Sequence, residues 1–163
     1  MLRNLFLIII LTLLSFSSFG QVHDQKIRRL VLRKGVVGKT YVFGKWSENG
    51  DEETHLTYLG KVKTKSGHIF KIMNSSWFWG ISRRATSRIL VFNVKNQYVG
   101  DYALTMTYEL PTSLEKGSLI FHNTDSDCDK NAVTVIDLKS GLPKEFFRKC
   151  RQHDGDFYGF ESF

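Results

Sequence analysis

The sequence predicts an all-β chain, a small antiparallel sandwich or up-and-down barrel of seven to nine strands with one short C-terminal helix. Three observations carry that expectation. Turn signals recur at short intervals, at residues 48–51, 65–67, 95–96, 115–117, 139–141 and 154–156. The runs between them are rich in β-branched and aromatic residues. The best of these runs, Gln97 to Tyr108, alternates side chains with a period of two, which places Tyr98, Gly100, Tyr102, Leu104, Met106 and Tyr108 on one face.

The first segment is of another kind. Residues 1–20 carry one early positive charge at Arg3, an apolar run from Leu5 to Leu14 broken only by Thr12, and a small-residue stretch ending at Gly20. Those are the three regions of a secretory signal, with cleavage expected before Gln21. The apolar run is too short for a span of about 20 residues. The Ser18-Phe19-Gly20-Gln21 junction is similar to export signals of Bacteroidota. Residues 21–163 are then expected to form a single β-rich domain, secreted or periplasmic, with no transmembrane segment left after cleavage. A chain of 163 residues, 42% hydrophobic and 24% charged with 13 Gly and 2 Pro, has the composition of a packed protein and excludes long disorder or collagen-like repeats.

Strands are expected next at Thr40–Trp46 and Thr54–Lys63, joined across Asn49-Gly50, and at His68–Met73. Arg88 to Val94 is apolar on both faces, the signature of a central strand covered on two sides. Ser118–His122 and Ala132–Leu138 are two further short strands. Pro143–Cys150 reads as the helix, with Pro at its first position and Arg148 and Lys149 in its last turn. Gly44-Lys45-Trp46 is similar to the Gly-x-Trp that opens calycin barrels, a likeness confined to those residues. Cys128 and Cys150, an even count in an exported chain, are expected to form a disulfide.

Three apparent motifs fail on context. Gly35 to Thr40 ends like a phosphate loop, but its first glycine is replaced by Arg33 and a strand follows where a helix is required. Gly80-Ile81-Ser82 starts like a nucleophile elbow and ends in Arg84 instead of Gly. His23, His55, His68, His122 and His153 lack the i, i+4 spacing of a helical zinc pair. Glu52, Glu53 and Glu109 are carboxylates whose spacing selects no acid/base pair.

Two clusters remain. In the first, Trp77 and Trp79 fall on one side of a strand, and Arg83, Arg84 and Arg88 follow closely. Indole faces stack on sugar rings or lipid groups, and guanidiniums fork onto acidic groups, so the cluster suits an acidic glycan or an anionic lipid. The competing expectation is that the tryptophans fill the core. In the second, Asp125, Asp127, Asp129 and Asn131 match the opening of a calcium loop, to which Asp154 and Asp156 would be added by the Cys128–Cys150 bridge. Lys130 stands where that loop needs glycine, and the competing expectation is a polar turn.

The formal charge is +7, or 22 − 16 = +6 once Arg3 leaves with the signal. Lys26, Arg28, Arg29, Arg33 and Lys34 cluster near the new N-terminus, as on a charged edge strand. No nucleic-acid motif accompanies them. The functional expectation is therefore an exported, non-catalytic binding module for an envelope or extracellular glycan, lipid or protein ligand. The alternatives are a small secreted hydrolase using His122 with nearby aspartates, or a secreted enzyme inhibitor.

Overall fold

A computed structural model describes residues 18–163, with side chains from Asp24 onward. The body of the expected signal lies outside the described residues. The chain begins in helix α1 (Ser18–Lys34) and continues through ten strands: β1 (Thr40–Gly44), β2 (Glu53–Lys63), β3 (Ile69–Trp79), β4 (Arg84–Asn93), β5 (Tyr98–Leu104), β6 (Ser113–Glu115), β7 (Ser118–His122), β8 (Val133–Asp137), β9 (Glu145–Arg151) and β10 (Asp154–Ser162). A single 3-10 turn, Thr107–Glu109, follows β5. Seven strands form one antiparallel sheet in the order β1-β2-β3-β4-β5-β10-β9, and β6-β7-β8 form a second. The chain is mostly β, with ten strands instead of seven to nine and no closed barrel among the described residues.

The large sheet has a distinct cluster on each face. Ile72, Ile89, Val91, Tyr102 and Leu104 pack with Leu119 and Phe121 of β7 and with Phe146 and Tyr158 of β9 and β10. On the other face Leu56, Tyr58, Met73, Leu90 and Phe92 receive Ile27, Val31 and Leu32 of α1. β4 is the fourth of seven strands and sends alternate side chains into both clusters. That is why its sequence is apolar without a polar face.

The helix sits at the opposite end of the chain from the one expected. Ile27 and Val31, four residues apart, make one apolar stripe, and Gly35 (φ 63°) closes the last turn by donating to the Val31 carbonyl at 3.1 Å. The basic residues 26–34 therefore lie on a helix, not on a charged edge strand. Residues 145–151, the greater part of the expected C-terminal helix, form β9 instead, paired antiparallel with β10. Phe146 and Arg148 are buried from one side of it, and pairing with β10 overrides the local helix signals. No helix of the described residues is long and apolar enough to cross a membrane.

A second departure positions the site. Phe92 pairs with Tyr98 and Val91 with Gly100, so Val99 is the extra residue of a β-bulge. The bulge breaks the period of two. Tyr102 and Leu104 face the second sheet, but Tyr98 turns to the helix side, where Asp101 also lies. The strand ends at Leu104, so Met106 and Tyr108 do not extend its face.

Candidate functional site

The β3–β4 hairpin carries Trp77 and Trp79 on the side of the sheet that holds α1, because both share parity with Met73. Their rings stack with centroids 5.6 Å apart and planes at 26°. Each indole N–H has a partner: Trp77 donates to Glu52 Oε2 at 3.0 Å and Trp79 to Thr86 Oγ1 at 3.2 Å. Trp77 is 38% exposed, and neither ring belongs to either core cluster. The expectation that they fill the core fails, since the hairpin runs beyond the area α1 covers. Arg84, opposite Trp79 in register, holds its guanidinium carbon 5.7 Å from the Trp79 ring centroid.

Arg83 goes to the other side. It occupies the turn at φ 49°, with its guanidinium 5.1 Å from Phe78 and 5.6 Å from Trp46. The Trp46 indole donates to the Gly80 carbonyl at 2.8 Å, which ties the chain after β1 to this turn. Close by, His55 Nε2 and Glu53 Oε1 are 2.6 Å apart, and His55 meets Phe78 edge-on. The His55 contact, reinforced by the Trp46 amide and Arg83, holds the Glu53 carboxyl below its ordinary pKa.

Arg88 joins neither group of aromatics. Its Nη1 bonds both oxygens of Asp101 at 2.9 and 3.0 Å, and Asp101 is 3% exposed. The Tyr98 hydroxyl donates to the same carboxylate. Burial, aided by Asp101, raises the Tyr98 phenol well above its usual pKa. Asp101, Tyr98 and Thr86 are not selected by sequence spacing. The readable signal was an aspartate in an apolar strand next to a strand headed by arginine, since a buried carboxylate demands a cation.

The acidic loop is built differently. Cys128 and Cys150 are bridged, with α-carbons 4.6 Å apart. Asp125 Oδ1 accepts the Asp127 amide at 2.7 Å and Asp129 Oδ1 accepts the Asn131 amide at 2.9 Å, as in Asx turns. The Asp127 carbonyl takes the Arg151 guanidinium, while Asp154 and Asp156 stand on β10 opposite Arg151 and Arg148. Among the described residues no three His, Cys, Asp or Glu side chains gather as a metal cage, and the loop has the geometry of a polar turn instead of the expected calcium loop.

His55 and His122 both line a polar cleft of about 300 Å³ between the sheets, with Asn74, Ser76 and several threonines. No aspartate lines it. His68 sits in the β2–β3 turn, away from His55.

No protein-family model matches the chain, and neither a curated protein nor a solved structure does.

Proposed function

We propose that the chain is an exported, non-catalytic binding module that takes an acidic glycan on the Trp77–Trp79 ladder, with Arg84 engaging the acid group. One observation carries the reading: two stacked indoles, one of them 38% exposed, stand outside both cores beside an exposed cation on the same face. A folded chain gains little by leaving so much aromatic surface wet, whereas a sugar ring laid on it removes that surface from water. The polar partners of the indole N–H groups fix the rings, so binding would not have to order them first. The disulfide fits an oxidising compartment, in keeping with export.

The test is a glycan array containing uronic-acid and sulfated oligosaccharides, followed by calorimetry on each hit. Trp77→Ala and Arg84→Gln are each expected to weaken a hit at least about tenfold, or about 1.4 kcal/mol, with the thermal midpoint retained. Wild-type affinity in both folded variants overturns the reading. So does binding confined to anionic vesicles, which would assign the ladder to a membrane surface.

A further inference from the structure

On the same side of the sheet, a cavity of about 400 Å³ opens between α1 and the β4–β5 hairpin. It is separate from the indole ladder, and no tryptophan lines it. Its apolar wall is Phe92, Tyr98 and Phe163. A basic depression adjoins it through the shared residues Gln25, Arg29, Asn96 and Gln97 and adds Lys26, Arg33 and Lys95.

The charge count is lopsided. Lys26, Arg28, Arg29, Arg33, Arg88 and Lys95 face the two hollows, against Asp24 and Asp101, so the side chains leave 6 − 2 = +4. Both carboxylates are already engaged, Asp24 by Arg28 at 3.3 Å and Asp101 by Arg88. Arg88 is the anchor. It spends Nη1 on the buried carboxylate, its side chain remains 38% exposed, and Nη2 and Nε have no partner among the described residues. An arginine held at Nη1 by a buried acid leaves its Nε–Nη2 edge free, and that edge is the fork that recognises an oxyanion. The Tyr98 hydroxyl also donates to the acid, and Arg28 lies 6.0 Å over the Tyr98 ring.

We infer that this cavity binds a small organic oxyanion, its charged group on Arg88 and Arg29 and its apolar body against Phe92 and Tyr98. A basic helix face without a site would attract anions diffusely, and a ring would add nothing to their affinity. The inference does not depend on the glycan reading, because the two sites share no residue.

Amide-resolved NMR titrations at low ionic strength with phenyl phosphate, inorganic phosphate and phenol decide between the two. Phenyl phosphate is expected to saturate, at least about tenfold tighter than either fragment, with shifts centred on Tyr98, Asp101 and Arg29. Arg88→Lys keeps a charge for Asp101 but loses the free guanidinium edge, and should weaken binding about tenfold. Arg29→Gln, at an exposed position, should weaken it about threefold, whereas Lys130→Gln removes the same charge on the acidic loop and should change nothing. Phenyl phosphate that binds no tighter than phosphate, fails to saturate, or is indifferent to both arginine variants overturns the site.

Discussion

Replacing both cysteines by serine is expected to destabilise the chain by about 3 kcal/mol and leave it folded. The bridge spans 22 residues. In the chain-entropy account, closing such a loop removes about 11 cal/mol/K from the unfolded ensemble, or about 3.4 kcal/mol at 25 °C. A domain stable by about 5–15 kcal/mol tolerates that loss. The structure supplies a second tie between the same segments. Asn123, 5% exposed, places Nδ2 within 3.0 to 3.2 Å of the Asp129, Lys149 and Cys150 carbonyls, and the Asp129 amide donates to the Cys150 carbonyl at 2.8 Å. This clasp holds the β7–β8 loop of the small sheet to β9 of the large one. Asn123→Ala removes the buried amide and its hydrogen bonds to the three carbonyls, and should cost about 1–3 kcal/mol. Because clasp and bridge restrain the same contact, removing both should cost more than the sum of the two losses. Urea unfolding of the wild type, the serine pair, Asn123→Ala and the combination, all fitted with one slope, gives the four free energies. A serine pair that loses less than about 1 kcal/mol refutes the loop-entropy argument. One that is unfolded in buffer refutes the expectation that the clasp and the core shared by the two sheets hold the fold without the bridge.

Two further predictions test the packing. Burial raises the phenols of Tyr98, Tyr102 and Tyr158, with the Asp101 carboxylate adding at Tyr98 and Glu109 at Tyr158. The folded chain therefore holds these protons more tightly than the unfolded one, so stability is full below about pH 10 and falls as pH rises above it; of the 6 tyrosines, these three should ionise together with loss of β-sheet circular dichroism, and more than three phenolates formed in a still-folded chain would contradict the burial. Leu32→Ala, a 5% exposed position in α1, should cost about 2–4 kcal/mol in the same urea assay, and a loss below about 1 kcal/mol would mean that α1 is not docked on the sheet.

Where burial of the sheet's faces decides the matter, the sequence is legible. Ile89–Phe92 announces a central strand because both its faces are covered, and Cys128 and Cys150 announce their bridge by their even count. The helix was hidden because its stripe of Ile27, Val31 and Leu32 is short and lies among five cations that overwhelm the apolar signal. β9 was hidden for the opposite reason. Pro143 just before it and basic residues near its end suit a helix, and only pairing with β10 makes Glu145–Arg151 a strand. Its partners lie across the tight Gln152-His153 turn, from Asp154 opposite Arg151 to Gly159 opposite Glu145, and nothing inside the Pro143–Cys150 run itself announces them.

The arginine cluster shows how proximity in sequence misleads about proximity in space. Arg83, Arg84 and Arg88 lie within six residues, yet each meets a different neighbourhood. Arg83 is in the turn and folds over Phe78 and Trp46; Arg84 has the parity of Trp77 and Trp79 and joins their ladder. Arg88 has the same parity as Arg84, but it lies four residues along β4, a distance of about 13 Å at strand rise. That distance carries it from the open hairpin to the margin of α1, where Asp101 waits on the neighbouring strand. Alternation predicts which side of the sheet each side chain takes. Register and the Val99 bulge decide what it meets there, and both are set by pairing between strands. A glycan held by Arg84 and an oxyanion held by Arg88 are therefore independent proposals, although a single stretch of sequence supplies both cations.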